Sequence, residues 1–511
     1  MNRSTERAST IQRSYELLPT LQGTLVGLCL TTLCSHLSKF AEEIERLPPD
    51  LVQCVVDALA AQRSLNSTAL EMIVAAGSAP LVDRIVLRLG EPLAQPSASV
   101  FDSIEELEEY VRSSRRPVDS PFGELQAVSL AITLVNGSWL APLASFTALT
   151  ELELSSCYYV TDEPLCAALG SLPLLRSLDL DRCKRVSDAG LTPLAQGRLP
   201  KLLSLGLGGT RAHQVLHALA RCTPELRTLD ASGSTFGDWQ LRALCGAEEG
   251  GADRPLPLKR LAIAKTRVSD AALLVALSST LESLDLSFNP DVKDSAFLGE
   301  LPLLSTLDVS LNHWVDDEAL CALCAGAPGL ERLNLEKTDV SDDALAQLGR
   351  LHALRHLDLG RTAVGGSAGA SWAWLRRLET LETLYLPYCP LALVDASAQS
   401  IVPCFPPSLR HLKLSRVLHF DDAAVLVLAE RSQQQTDGLK LTALDLGSPG
   451  LTNACVPALC ALVDAGLMSL RLWHTRVTRV GIVQLMATAR VMGLDTTMSC
   501  SEGTYLMRRV G

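Results

Sequence analysis

One six-residue pattern, Leu-x-x-Leu-x-Leu, recurs thirteen times between Leu149 and Leu472, and it restricts the fold more than any other feature. It begins as Leu149/Leu152/Leu154, Leu175/Leu178/Leu180, Leu202/Leu205/Leu207 and Leu226/Leu229/Ala231. It continues as Leu258/Leu261/Ile263, Leu281/Leu284/Leu286, Leu304/Leu307/Val309, Leu330/Leu333/Leu335 and Leu354/Leu357/Leu359. It ends as Leu381/Leu384/Leu386, Leu409/Leu412/Leu414, Leu441/Leu444/Leu446 and Leu467/Leu470/Leu472, and Leu125/Val128/Leu130 is a degenerate earlier copy. The last two apolar positions are two apart, so on an extended chain they share one side and the residue between them faces the other. A unit this short cannot bury its leucines alone and must stack on its neighbours.

Each copy continues in the same way. A Cys, Asn or Thr follows the strand, then a Val, then an acidic helix start, as in Val186-Ser187-Asp188, Val268-Ser269-Asp270 and Val340-Ser341-Asp342. The Ser is expected as N-cap and the Asp in the first turn, where negative charge suits the helix dipole. A return helix such as Asp342–Leu348 follows. The step is 23 residues from Leu281 to Leu304 and 27 from Leu354 to Leu381, inside the range of about 20 to 29 that marks leucine-rich repeats. The fold class expected is α/β: a curved leucine-rich-repeat solenoid over residues 117–511, with a parallel sheet on the concave face and helices on the convex face. The cysteines Cys157, Cys183 and Cys389 fall at one place in the repeat. With the Val-Ser/Thr-Asp element they resemble the cysteine-containing, ribonuclease-inhibitor-like repeats common in ubiquitin-ligase receptors. Two steps, from Leu226 and from Leu409, are 32 residues long. The excess, Gly246–Pro257 and Glu430–Lys440, reads as projecting loops.

Ahead of the repeats, residues 1–23 read as a flexible leader and 24–116 as a small helical region. Thr24 is a good N-cap. Leu25, Leu28, Cys29, Thr32, Leu33 and Leu37 recur at three- and four-residue steps, with Val26 and Leu30 off that face. A helix apolar over so much of its circumference needs cover on two sides, from a bundle or from a partner. Pro48 and Pro49 stop any helix arriving from Phe40–Glu45, and Asp50 starts another carrying Leu51, Val55, Val56 and Leu59 on one face. Short helical patterns follow from Ser67 to Gly77, at Leu81–Leu89 and at Ser103–Arg112, with the boundary near Pro117–Glu124.

Thr24-Leu25-x-x-x-Cys29-x-x-x-Leu33 resembles the BC box, the elongin C-binding motif of substrate receptors in cullin-type ubiquitin ligases. Leu47-Pro48-x-x-Leu51-x-x-x-Val55 resembles the cullin box that follows it. The two in this order, ahead of leucine-rich repeats, resemble receptors of the Zyg/Zer kind and the yeast Rad-type repair protein. That resemblance implies that Leu25, Leu28, Cys29 and Leu33 contact an elongin C-like adaptor, and that Leu47, Pro48, Leu51 and Val55 contact a cullin. Leu47-Pro48-Pro49-Asp50-Leu51 also looks like the start of an F-box, although no later Trp-containing part is visible after Arg63. A repeat scaffold or inhibitor with no ligase link is the third reading.

The 511 residues carry a net charge of -12 and a pI near 5.3, which disfavours general nucleic-acid binding through phosphates. Aromatics at 4% leave few stacking platforms. No apolar run approaches the roughly 18 residues of a membrane span, although mean hydropathy is +0.20. Leu25–Leu33 lies behind Arg3, Arg7 and Arg13, but Glu6, Glu16 and the run's own threonines argue against a secretory signal. Fifteen cysteines without framework spacing read as reduced and buried. A cytoplasmic or nuclear protein is expected.

No enzyme is expected, and no cofactor. Gly365-Gly366-Ser367-Ala368-Gly369 fits a nucleophile elbow, but repeat register puts Ser367 at a convex helix start. Cys321 and Cys324 lack a second pair at zinc spacing, and His352 and His356 straddle a helix–strand turn. More informative is the column between the last two leucines. It reads Glu153, Asp179, Gly206, Asp230, Ala262, Asp285, Asp308, Asn334, Asp358, Tyr385, Lys413, Asp445 and Arg471. Either Leu-Asp-Leu is repeat consensus, or Asp179, Asp230, Asp285, Asp308 and Asp358, with His356 and Tyr385 beside them, form an acidic trough for a basic protein substrate.

Overall fold

The computed structural model describes residues 84–86, 127–129, 140, 142–145, 147–247, 254–365, 372–389, 401–417, 420–434, 438–491, 497–500 and 503–506. The motifs at residues 24–55 and Ser367 lie outside the described residues. The chain divides into two compact units, Met1–Leu226 and Arg227–Gly511.

In the first unit the strands are β1 (Arg84–Val86), β2 (Ala127–Ser129), β3 (Glu151–Glu153), β4 (Ser177–Asp179) and β5 (Ser204–Gly206). Helices α1 (Asp162–Leu169), α2 (Thr192–Ala195) and α3 (Gln214–Cys222) alternate with them. All pairings are parallel, and Val128, Leu152, Leu178 and Leu205 stand in one register row. Ala127–Ser129, the described part of the degenerate copy, is therefore a repeat strand. Arg84–Val86, within the helical pattern expected at Leu81–Leu89, is a strand paired parallel with β2. Ile85 and Val86 are β-branched, and a free sheet edge supplies hydrogen bonds that a lone short helix lacks.

The second unit continues the plan. Its strands are β6 (Thr228–Asp230), β7 (Arg260–Ala262), β8 (Ser283–Asp285), β9 (Thr306–Asp308) and β10 (Arg332–Asn334). Then come β11 (His356–Asp358), β12 (Thr383–Tyr385), β13 (His411–Ser415), β14 (Ala443–Gly447) and β15 (Ser469–Leu472). β16 (Thr497–Cys500) adds parallel to β15 and turns back antiparallel into β17 (Gly503–Leu506). The middle leucine of each copy pairs with that of the next, from Leu229↔Leu261 to Leu444↔Leu470. Return segments are α4 (Asp238–Leu244), α5 (Asp317–Gly326), α6 (Leu345–Leu348), α7 (Asp422–Ser432), α8 (Val456–Asp464) and α9 (Arg479–Val491). The two 23-residue repeats, from Leu258 and Leu281, carry 3-10 turns at Ala271–Leu277 and Ala296–Glu300. The repeat from Leu304 has room for the ten residues of α5. The helix expected at Asp342–Leu348 is only the single turn α6, and α7 runs into the loop expected at Glu430–Lys440.

Between sheet and helices the core is almost wholly aliphatic. All three pattern residues of each of the thirteen copies are buried, as are Val186, Val268 and Val340. At the turn after the strand runs a ladder of small polar groups. The Cys183 thiol donates to the Leu154 carbonyl at 3.0 Å, and Cys389 to Leu359 at 3.1 Å. Asn289 Nδ2 donates to the Ile263 and Leu286 carbonyls at 2.8 and 3.1 Å, while its Oδ1 accepts from the Thr266 N–H and hydroxyl. Asn312 repeats the arrangement on Leu286 and Val309. These side chains bond carbonyls at the strand ends, several of which also accept a second donor, as Leu154 does from the Cys157 N–H and Leu359 from the Thr362 hydroxyl. Burial pushes the Cys183 thiol up to about 12 and that of Cys389 to about 11, so both stay protonated donors.

The Val-Ser-Asp element works differently from its sequence expectation. Ser187, Ser269 and Ser341 do not primarily cap their own helices. Each hydroxyl and backbone N–H donates to the helix-start Asp of the preceding repeat: Ser187 to Asp162, Ser269 to Asp238 and Ser341 to Asp317. Thr452 does the same to Asp422. The stacking distance between repeats brings the next repeat's donors within reach of the carboxylate, so the element is an inter-repeat clamp.

Candidate functional site

On the face away from the helices, each strand presents the residue between its last two leucines. Asp179, Asp230, Asp285, Asp308 and Asp358 all stand there, half-buried, at the last position of β4, β6, β8, β9 and β11. Each carboxylate accepts the backbone N–H two residues on: Asp181, Ser232, Ser287, Ser310 and Gly360 donate at 2.8 to 3.0 Å. Asn334 fills the same role without a charge, accepting from Glu336 at 3.0 Å and donating to Asp308 Oδ2 at 2.8 Å. In the first unit Gly206 stands beside Asp179 in the neighbouring strand, and a Cβ there would meet Asp179 Oδ1 at 2.7 Å.

The bond bends the chain into its turn, and the next residue takes positive φ. Arg182, Lys265, Phe288, Leu311, Lys337, Arg361, Tyr388, Arg416 and His474 lie between 52° and 61°. A left-handed residue other than Gly costs roughly 1–2 kcal/mol. Its N–H offsets part of this by joining the following repeat, as Arg361 does on the Pro387 carbonyl (2.8 Å) and Tyr388 on Ser415 (3.0 Å). The turn thus throws side chains such as Phe288 and Tyr388, both more than two-fifths exposed, into solvent beside the column.

Charge along this face is shaped by burial. Burial raises the Asp285 carboxyl above its usual range, and the neighbouring carboxylates Asp308 and Asp230 add to this against the Ser287 hydrogen bonds. Burial likewise pushes Asp358 up to about 6, with Glu336 and Asp308 adding and Lys413 and the Gly360 N–H opposing. His356 opens β11 and is half-buried; burial, Arg332 and His411 lower its pKa against Glu382.

The composition changes at β12. Tyr385 is half-buried with the Lys413 ammonium 5.4 Å from its ring centre. A shallow cavity of about 230 Å³ is lined here by Tyr385, His411, Lys413, Asp445, Ser469 and Arg471 among others. On the turn row, Tyr388 lies between two guanidiniums, Arg361 at 4.7 Å and Arg416 at 5.1 Å. Arg416 in turn reaches His474 Nε2 at 2.9 Å. Sequence reasoning named Tyr385 but missed this pair of arginines. Their signal was the recurrent turn position three residues past the column, which only the positive φ makes an outward position.

Cys321, exposed, and Cys324, buried, share α5. No helix among the described residues is long and apolar enough to cross a membrane.

A leucine-rich-repeat family model matches residues 171–195 and 277–295. Over 106 residues the chain is 38% identical to the antagonist of mitotic exit network protein 1 of Eremothecium gossypii, a match covering 19% of this chain and 26% of that protein. Among solved structures, a leucine-rich-repeat protein of Leptospira interrogans is similar at 17% identity and a TM-score of 0.44, over 73% of this chain and 91% of that one. The Rad7 and Elc1 complex of yeast gives 16% and 0.43, over 89% and 95%. Within each unit parallel strands stand in register and alternate with helical return segments, and each unit holds one stretch that the family model matches, so the fold is that of a leucine-rich-repeat solenoid.

Proposed function

We propose that this protein is a non-catalytic adaptor: it holds a partner protein on the open face of its repeats and presents it through residues 24–59. Leucine-rich repeats make it an interaction scaffold. The observation that carries the binding role is the open face of residues 227–511. There, in-register strands hold polar and aromatic side chains at fixed intervals of about 4.8 Å, and turn residues such as Tyr388 are exposed. The partner is a protein with a basic segment, set against Asp285, Asp308 and Asp358. The ligase reading rests on the BC-box-like Leu25, Cys29 and Leu33 and the cullin-box-like Leu47, Pro48, Leu51 and Val55. A relative named as an antagonist within a regulatory network fits a protein that works by engaging others.

Affinity purification with mass spectrometry tests it. An elongin C-like protein and a cullin are expected, and Leu25→Ser with Cys29→Arg abolishes their recovery, because a polar group and a charge in an apolar pocket cost about 3 kcal/mol or more. Recovery of an F-box adaptor instead, or of neither, replaces the elongin reading with the F-box or the plain scaffold reading.

A further inference from the structure

We propose that the face built by β12 to β15 is a second docking surface, and that its occupant is an acidic segment of a partner protein, rich in Asp and Glu. The outward and turn positions of these strands carry three cations, Lys413, Arg416 and Arg471, against one carboxylate, Asp445. Register places Lys413, Asp445 and Arg471 side by side on neighbouring strands. Asp445 is already engaged by the Ser415 hydroxyl at 2.8 Å. Neither Lys413 nor Arg471 forms an ion pair among the described residues; Lys413 rests on the Tyr385 ring. In a chain with a net charge of -12, such a concentration of positive charge is a local exception, and it focuses attraction for anions on one place.

Geometry adds to charge. The Arg361–Tyr388–Arg416 stack holds two guanidiniums against one exposed ring at 4.7 and 5.1 Å. An arginine fixed in this way loses little side-chain freedom when it meets a carboxylate, and its planar fork suits bidentate contact. The cavity of about 230 Å³ between Tyr385, Lys413 and Arg471 is the size of one side chain, not of a cofactor. Trp473, 39% exposed, borders the same strand end and offers apolar contact. An extended segment with acidic residues at intervals meets Lys413 and Arg471 from the sheet and Arg416 from the turn row. This surface is independent of the N-terminal motifs and opposite in sign to the Asp285–Asp358 column.

The test uses the full chain and a fluorescein-labelled twelve-residue peptide of Glu, Asp and Ser with one Tyr, read by anisotropy. A Lys/Ser peptide of equal length and a single-stranded oligonucleotide of equal charge serve as comparisons. The acidic peptide binds, and its affinity falls about tenfold as salt rises from about 50 to 300 mM. Lys413→Gln with Arg471→Gln weakens it at least about tenfold, and Arg361→Gln with Arg416→Gln does the same, while thermal midpoints and elongin C recovery do not change. Asp285→Asn with Asp308→Asn has no effect on it. Absence of binding by the wild-type chain overturns the proposal. So does binding that survives both pairs of substitutions, or tighter binding of the oligonucleotide. If the Gln pairs lower the thermal midpoint, binding is read below that midpoint, and unchanged affinity there overturns it equally.

Discussion

Asp358 accepts the Gly360 N–H while burial pushes its carboxyl up to about 6. The folded state therefore favours the protonated form more than the unfolded chain does. Its contribution to stability is fully present below the ordinary value of 3.8 and is lost as pH rises through about 6. Asp358→Asn keeps the acceptor and removes the charge, as Asn334 already does in the same column. The variant is expected to be more stable than wild type by about 1–2 kcal/mol near pH 7.5 and no more stable near pH 3.5, measured by urea unfolding at both. Equal gain at both pH values would show that charge is not the cause. Asn289 is the opposite case. It is fully buried, and its side chain bonds to three carbonyls, an N–H and a hydroxyl. Asn289→Ala should cost about 2–4 kcal/mol, because several buried groups lose partners at once.

Between elements, the clamp from one repeat's Asp to the next repeat's Ser carries the argument. Asp317→Ala removes the acceptor for both donors of Ser341. A loss of about 1–3 kcal/mol is expected. Amide exchange should speed up in the turn holding Ser341 before it does around Cys183, since each repeat mainly contacts its neighbours. For Asp238, burial alone would raise the pKa. The donors of Ser269 and Asp270, helped by Arg242, outweigh it and hold the pKa below the usual 3.8. Its stabilisation is present above that value and is lost as pH falls through the lowered folded pKa. Asp238→Asn should therefore flatten the acid limb of the stability curve while changing little of its shape above about pH 5.

At the scale of the whole molecule, the two signs of charge on one face lead to separable binding. Lys- and Arg-rich segments are expected on the half-buried Asp285, Asp308 and Asp358, each contact reached from solvent and worth about 0–1 kcal/mol, their sum dependent on salt. Asp285→Asn with Asp308→Asn keeps both turn acceptors and removes a carboxylate that burial disfavours, so a drop in recovery of a basic partner at a thermal midpoint that is not lowered would report charge and not folding. Recovery that is insensitive to salt and to this pair would leave Leu-Asp-Leu with its turn-forming role alone.

The sequence by itself determined the repeat, its register and its inward residues. The three pattern positions of each copy come at intervals that only stacked strands satisfy, and every one is buried where the pattern put it. It also marked the column, because side chains of a strand alternate. What it did not determine was what each polar side chain bonds to. The Ser of Val-Ser-Asp has the composition of an N-cap, yet its partner is the Asp of the preceding repeat, 24 residues away for Ser341. The column Asp has the composition of a binding residue, yet its oxygen is shared with the backbone two residues on. Arg361, Tyr388 and Arg416 lie far apart in sequence and come together only because successive repeats take the same left-handed turn. Apolar periodicity is local and additive, so it is legible along the chain. Hydrogen bonding and charge depend on which repeat stands next and how far burial excludes water, and only the stacked structure decides that.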